Sequence, residues 1–193
     1  MGYYVNPDNE SLITSLNSKP YVDKSGLIGV LNENVNTNHA NVCVSRPRRF
    51  GKSMAVDLAV AYYSRGCDSR NLFEKLYLSK TEGWDKYLNK FNVIQLDLID
   101  YFSPTMSTAD SLEKMRREVV EELCIEFEDV DIDTTMEITQ AMKKIYLKTK
   151  THFMVFIDEY DLPIREQAKL EELEPYLHFL NEMFKSRSMQ NVI

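Results

Sequence analysis

Several residue types and patterns are scarce in this sequence of 193 residues, and each absence excludes a class of protein. The three cysteines are odd in number, lie far apart and form no C-x-x-C pair, which argues against a disulfide framework and a zinc site. Six glycines and six prolines are too few for a collagen-like or low-complexity chain. No apolar run reaches the ~18 residues of a membrane-spanning helix, and the N-terminus lacks a signal-peptide pattern. We therefore expect a cytoplasmic protein that makes no membrane contact.

Charge is present but unevenly distributed. The formal net charge is -7, and the stretch 110–133 alone holds ten acids and three bases, so the rest of the chain is neutral. We interpret this acidic stretch as the solvated face of a helix. In contrast, no acid occurs between Glu33 and Asp57, and four basic residues fall close together there: Arg46, Arg48, Arg49 and Lys52. Such a local basic segment can bind an anion even in an acidic protein.

Apolar patterns predict an α/β protein. Continuous apolar runs predict buried strands at 41–44, 92–97 and 153–157, and the start of another at 191–193. Helical spacing predicts helices over 52–63, 108–128 and 167–187, one helix capped by Ser25, and one begun by a capping box from Thr134 to Glu137. Strands that are apolar on both faces and alternate with helices imply a parallel sheet covered on both sides, which makes a three-layer α/β/α fold.

A phosphate-binding loop is indicated between the strand predicted at 41–44 and the helix predicted at 52–63. Gly51, Lys52 and Ser53 match the end of G-x-x-x-x-G-K-[ST], in which backbone N–H groups and the Lys hold phosphates and the hydroxyl binds Mg²⁺. The motif departs from the rule at its first position, where Arg46 replaces Gly. By itself the short match is weak evidence.

A second motif strengthens the first. The apolar run 153–157 ends in Asp158 and Glu159. An Asp at the carboxyl end of a parallel strand can hold the Mg²⁺ shell, and the next Glu can deprotonate an attacking water. The alternative for this pair is a helix cap after a core strand. Asp97 ends the strand predicted before it, and we favour a capping role for it over one that restrains Glu159.

Five segments, in this order and spacing, closely resemble the bacterial AAA-ATPase-like family. They are YVDKS at 21–25, SRPRRFGKS at 45–53, LFEKL at 72–76 followed by Trp84, VIQLDL at 93–98 and FIDEYDLPI at 156–164. The family's own loop has Arg at the first position, so Arg46 fits the resemblance. By this likeness Lys52 contacts phosphate, Ser53 and Asp158 serve Mg²⁺, and Glu159 is the catalytic base. The nucleotide-binding loop comprises Arg48, Arg49, Phe50, Gly51, Lys52, Ser53 and Met54. Tyr21, Asp23 and Lys24 belong to the family pattern without an assigned chemistry.

We therefore expect an incomplete P-loop NTPase domain that binds Mg-ATP and, in the full-length protein, hydrolyses it. A nucleotide-binding switch or scaffold with little turnover is the alternative, and a P-loop kinase fits less well. We expect an N-terminal extension over 1–36 and an ATPase core over 37–193 that stops before its last strands, which predicts weak binding, negligible hydrolysis and self-association of this chain. The resemblance also implies a downstream nuclease domain acting on nucleic acid. Three roles remain open for Arg48 and Arg49: reaching the γ-phosphate, binding a second anion, or pairing with Asp161.

Overall fold

The computed structural model describes residues 2–45, 50–103, 105–166 and 170–193. Its helices and strands are α1 Glu10–Asn17, α2 Gly26–Asn34, α3 Lys52–Tyr63, α4 Arg70–Phe73, β1 Asn92–Asp97, α5 Thr108–Glu126, α6 Ile138–Thr149, β2 Phe153–Asp158, α7 Leu162–Glu166 and α8 Leu170–Lys185. β1 and β2 pair in a small parallel sheet. The α/β class is confirmed. None of the helices in the described ranges is long and apolar enough to cross a membrane.

The chain divides into two compact units. The first comprises residues 6–93, and the second comprises residues 2–5 together with 94–193. The boundaries of the expected extension over 1–36 and core over 37–193 stay a prediction.

The first unit is organised by the C-terminal half of α3, where every residue from 58 to 63 is buried. The rings of Tyr62 and Tyr63 pack edge to face at 4.8 Å, and Tyr62 meets Phe73 in the same way at 5.3 Å. Both buried hydroxyls find acceptors, the main-chain oxygen of Trp84 and the side-chain oxygen of Asn32, each at 2.7 Å. The predicted helix over 52–63 is confirmed by α3, and its full burial is confined to the second half.

In the second unit, α5, α6 and α8 share one hydrophobic core with the strands. This core includes Ile94 and Leu96 of β1, Leu123 of α5, Ile145 of α6 and Tyr176 of α8. Each of these five side chains is fully buried, so the apolar faces predicted for these elements are confirmed.

The acidic helix α5 begins where the sequence predicts. Ser107 caps it by accepting the N–H of Asp110 at 3.1 Å. Glu113 and Glu121 are exposed, as a solvated face requires. Glu122 is different, because its carboxylate accepts backbone N–H bonds of 2.8 to 2.9 Å from residues 3, 4 and 5. One acid of the predicted solvated face therefore fixes the N-terminal segment to the second unit.

Two predicted strands are wrong. Residues 41–44 form no strand, and Val42 and Val44 are 46% and 44% exposed. Residues 191–193 form no strand, since 191 and 192 lie in a turn, although the Val192 carbonyl accepts one backbone N–H bond from Phe153 at 2.7 Å. A short apolar run becomes a strand only when a neighbour supplies ladder bonds along its length, and β propensity by itself does not create that neighbour.

Two predicted helix starts differ in their chemistry. The helix after residue 134 begins at Ile138, with the capping box formed by Glu137 and Gln140 and not by Thr134 and Glu137. Ser25 does precede α2, but its hydroxyl makes no cap bond and instead accepts the N–H of Leu78 at 3.0 Å. At α6 a neighbouring pair of residues forms the capping box, and at α2 the Ser25 hydroxyl bonds to a distant N–H group and not to the start of the helix.

Candidate functional site

Gly51, Lys52 and Ser53 lie at the N-terminus of α3. Gly51 is the N-cap residue and has left-handed backbone angles, φ 71° and ψ 44°, which glycine adopts without steric cost. The helical bonds begin with the N–H of Ala55, which donates to the Gly51 carbonyl at 3.2 Å. The first N–H groups of an α-helix have no acceptor within the helix and carry the positive end of its dipole, so this end of α3 suits an anion.

The neighbouring residues of the predicted loop differ in how they are placed. Phe50 is 64% exposed, Ser53 is exposed, and Lys52 and Met54 are partly buried. Arg46, Arg48 and Arg49 lie outside the described residues, so their predicted contacts stay predictions.

Lys24 contacts this loop directly. Its ammonium donates to the carbonyl oxygen of Phe50 at 2.5 Å and to that of Gly51 at 3.1 Å. The sequence singled out Lys24 only as part of a motif, and no pattern in the sequence indicated its target.

Asp23, the residue before it, is held by main-chain donors. Its carboxylate accepts the N–H of Ser25 at 2.8 Å and the N–H of Tyr77 at 2.7 Å. Burial acts against ionisation of Asp23, but these N–H bonds outweigh it and hold the pKa of the carboxyl below its usual value. The charged form of Asp23 therefore ties the segment before α2 to the turn at residue 77.

In the second unit, Asp158 ends β2 and Glu159 follows it, as predicted. Asp158 is 9% exposed and its carboxylate accepts the N–H of Glu159 at 2.9 Å. Glu159 has φ 50°, which is uncommon for a residue other than glycine. Such a backbone costs free energy that the surrounding contacts have to offset.

Arg165 holds the Glu159 side chain. Its guanidinium lies 2.9 Å from the Glu159 carboxylate and 3.2 Å from that of Asp161. The hydroxyl of buried Tyr176 donates to the carbonyl of Tyr160 at 2.6 Å, which secures the same turn from α8. Arg165 was not among the predicted site residues, although its spacing of four residues from Asp161 is the usual signal of a helical ion pair.

Asp97 ends β1, beside β2 in the sheet. Its carboxylate accepts the N–H of Ile99 at 3.0 Å, which confirms the predicted capping role. Burial raises the pKa of Asp97 above its usual value, against the opposing effect of the Ile99 bond. The negative charges of Asp158, Asp100 and Glu159 raise it further. Burial and these neighbouring carboxylates therefore act together against ionisation of Asp97.

The donor types suit magnesium. Hydroxyl and carboxylate oxygens such as those of Ser53 and Asp158 are the ligands that Mg²⁺ prefers. Within the described residues, no group of three or more His, Cys, Asp or Glu side chains is arranged to hold a metal ion. The assignment of Ser53 and of Asp158 as Mg²⁺ ligands stays a prediction.

A family model described as a predicted AAA-ATPase matches residues 11–192. No curated protein and no solved structure matches significantly. The match spans both units and includes Gly51 to Ser53 as well as Asp158 and Glu159. The chain therefore belongs to the AAA-ATPase-like family.

Proposed function

We propose that this chain is a P-loop NTPase domain of the three-layer α/β/α class that binds and hydrolyses Mg-ATP. The observation that carries the proposal is the left-handed Gly51 immediately before Lys52 at the start of α3. A phosphate loop requires this order of turn, glycine, lysine and helix N-terminus. Membership of a predicted ATPase family supports nucleotide binding.

In the first unit, the proposed work is phosphate binding. The N–H groups at the start of α3 donate to phosphate oxygens, and the Lys52 ammonium neutralises charge on the β- and γ-phosphates. Phe50, Gly51 and Met54 contribute main-chain contacts in the same loop, together with Arg48 and Arg49. No acid lies between Glu33 and Asp57, so this segment has no carboxylate that would repel the polyphosphate.

In the second unit, the proposed work is hydrolysis. Glu159 accepts a proton from the attacking water, and Arg165 fixes the direction of its carboxylate. Asp158 is the proposed Mg²⁺ ligand of this unit, as Ser53 is of the first, and a bound Mg²⁺ would polarise the phosphoryl oxygens as a Lewis acid. The Asp158 bond to the Glu159 N–H couples the two acidic residues.

A second candidate is a nucleotide-binding switch with little turnover. The observation that favours it is the ion pair at 2.9 Å between Arg165 and Glu159. The guanidinium occupies a carboxylate oxygen that the attacking water would otherwise contact, so the pair would slow hydrolysis until it separates. Both candidates require nucleotide binding, and they differ in steady-state phosphate release.

Isothermal titration calorimetry of Mg-ATP against Lys52→Ala tests the shared requirement. Lys52 supplies a charge at the terminal phosphates, so we expect the variant to lose measurable binding. The matched control is Lys75→Ala, which removes an exposed lysine of the same unit and should bind as the parent does. A folded Lys52→Ala protein, checked by circular dichroism, with parental affinity would overturn the assignment of the phosphate loop.

A further inference from the structure

Lys24 contacts two consecutive carbonyls, and this determines how two peptide groups face. The carbonyls of Phe50 and Gly51 belong to the peptide groups that also contain the N–H groups of Gly51 and Lys52. In a trans peptide the C=O and the N–H point in opposite directions. When the ammonium of Lys24 holds both oxygens on its own side, the two N–H groups are directed to the other side, away from Lys24.

The backbone that carries Lys24 is anchored by the residues on both sides of it. Asp23 accepts the N–H of Tyr77 at 2.7 Å, and the fully buried Ser25 accepts the N–H of Leu78 at 3.0 Å. A surface lysine ordinarily loses side-chain entropy when it forms a hydrogen bond. Here the backbone on either side of Lys24 is already anchored, which reduces the further ordering that its contact with the loop requires.

Gly51 provides a separate argument. Its positive φ favours glycine, and a Cβ built at this position would overlap the Lys24 ammonium. The glycine therefore serves both the turn and the close approach of the lysine. The Gly51 carbonyl accepts from both Lys24 and Ala55, which uses both of its lone pairs.

We propose that Lys24 is a positioning residue of the nucleotide site, which holds the peptide groups of the loop so that their N–H groups face the phosphates. This inference rests on the proposed function and deepens it. If either peptide turned over, a carbonyl oxygen would face the polyphosphate and repel it. Lys24 prevents that reversal by donating to the carbonyl oxygens of Phe50 and Gly51. The ligands expected for the site are compounds with a magnesium-bound di- or triphosphate.

The test compares Lys24→Met with Lys24→Arg. Methionine retains much of the apolar stem and removes the donors, whereas arginine retains charge and donors. Calorimetry should show Mg-ATP and Mg-pyrophosphate binding weakened by about 10- to 100-fold in Lys24→Met, the range for losing a hydrogen bond to a charged group. Lys24→Arg should bind more tightly than Lys24→Met, and Lys75→Ala should match the parent.

A second measurement separates positioning from folding. In ¹H–¹⁵N NMR spectra without ligand, Lys24→Met should shift the amide resonances of Gly51 and Lys52, because their peptide groups lose the restraint. A lower melting temperature with unchanged affinity in the folded protein would indicate a structural role and overturn the proposal, as would unchanged amide resonances. Arginine that restores nothing would also contradict it.

The outcomes distinguish this inference from the proposed function. If the parent protein binds no nucleotide, or if Lys52→Ala binds as well as the parent, the proposed function fails and the inference fails with it. If Lys52→Ala loses binding while Lys24→Met retains it, only the inference about Lys24 fails.

Discussion

Glu159 is distinguished by both its backbone conformation and its side-chain contacts. It has a left-handed backbone immediately after β2, its N–H donates to Asp158, and its carboxylate is paired with Arg165. A residue in this conformation is maintained only when the surroundings compensate for its cost. The Arg165 pair and the Tyr176 bond to the Tyr160 carbonyl are such compensating contacts.

The residue-scale prediction concerns Glu159→Gln. Because a glutamine cannot accept the proton from water, we expect hydrolysis, followed in a form of the protein with measurable turnover, to fall by about 10² to 10⁴ with Mg-ATP affinity retained. Phosphate release measures the first quantity and calorimetry the second. Glu171→Gln, on an exposed acid of α8, is the control and should turn over as the parent does. Parental hydrolysis in Glu159→Gln would move the role to another residue, with Asp161 next in order.

At the scale of elements, α5 shows how one helix separates a core face from a solvated face. Leu123 is fully buried, whereas Ile125, two residues later, is 71% exposed. Side chains two residues apart on a helix point in directions that differ by about 200°, so apolar residues close in sequence need not share an environment. The acidic residues of α5 follow the same geometry, except for Glu122, which is used by the N-terminal segment.

The element-scale prediction uses this pair of apolar residues. Leu123→Ala should lower the free energy of unfolding by about 2 to 5 kcal/mol, because it removes buried methyl groups and leaves a cavity. Ile125→Ala should change it by less than about 0.5 kcal/mol. Urea denaturation followed by circular dichroism gives both values. Equal effects of the two variants would contradict the placement of α5.

For the whole molecule, nucleotide binding and folding stability are linked. A ligand that binds only the folded protein stabilises it in proportion to the logarithm of its concentration above Kd. The proposed function therefore has a consequence for the entire chain that does not depend on turnover. Self-association, a cytoplasmic location, a downstream nuclease domain and nucleic-acid binding stay predictions.

The whole-molecule prediction is a ligand-dependent melting temperature. At 100 times its Kd, Mg-ATP should add about 2.7 kcal/mol and raise the Tm by roughly 5 to 10 °C. Mg²⁺ without nucleotide should raise it much less. Differential scanning fluorimetry of the parent and of Lys52→Ala provides the comparison. A shift that is equally large in Lys52→Ala would show that the nucleotide binds elsewhere.

Much of the secondary structure was predictable because its signal is local. The bounds of α3 and β1 coincide with the apolar patterns. The start of α5 and the position of Asp158 and Glu159 at the end of β2 were also predicted. In each of these elements, the period or the length of the apolar run indicates the secondary structure more strongly than any competing local propensity does. The motif Gly51 to Ser53 likewise indicated a turn followed by a helix N-terminus.

Tertiary contacts decided the features that depend on distant partners. Val42 and Val44 have strand-forming side chains, yet the segment lacks strand geometry, since a strand exists only through its neighbours. Lys24 reaches carbonyls 26 and 27 residues away, and Arg165 folds back onto Glu159. Hydrophobic periodicity reports which face of an element is buried, but a polar side chain chooses its partner by three-dimensional proximity, which the local pattern does not encode.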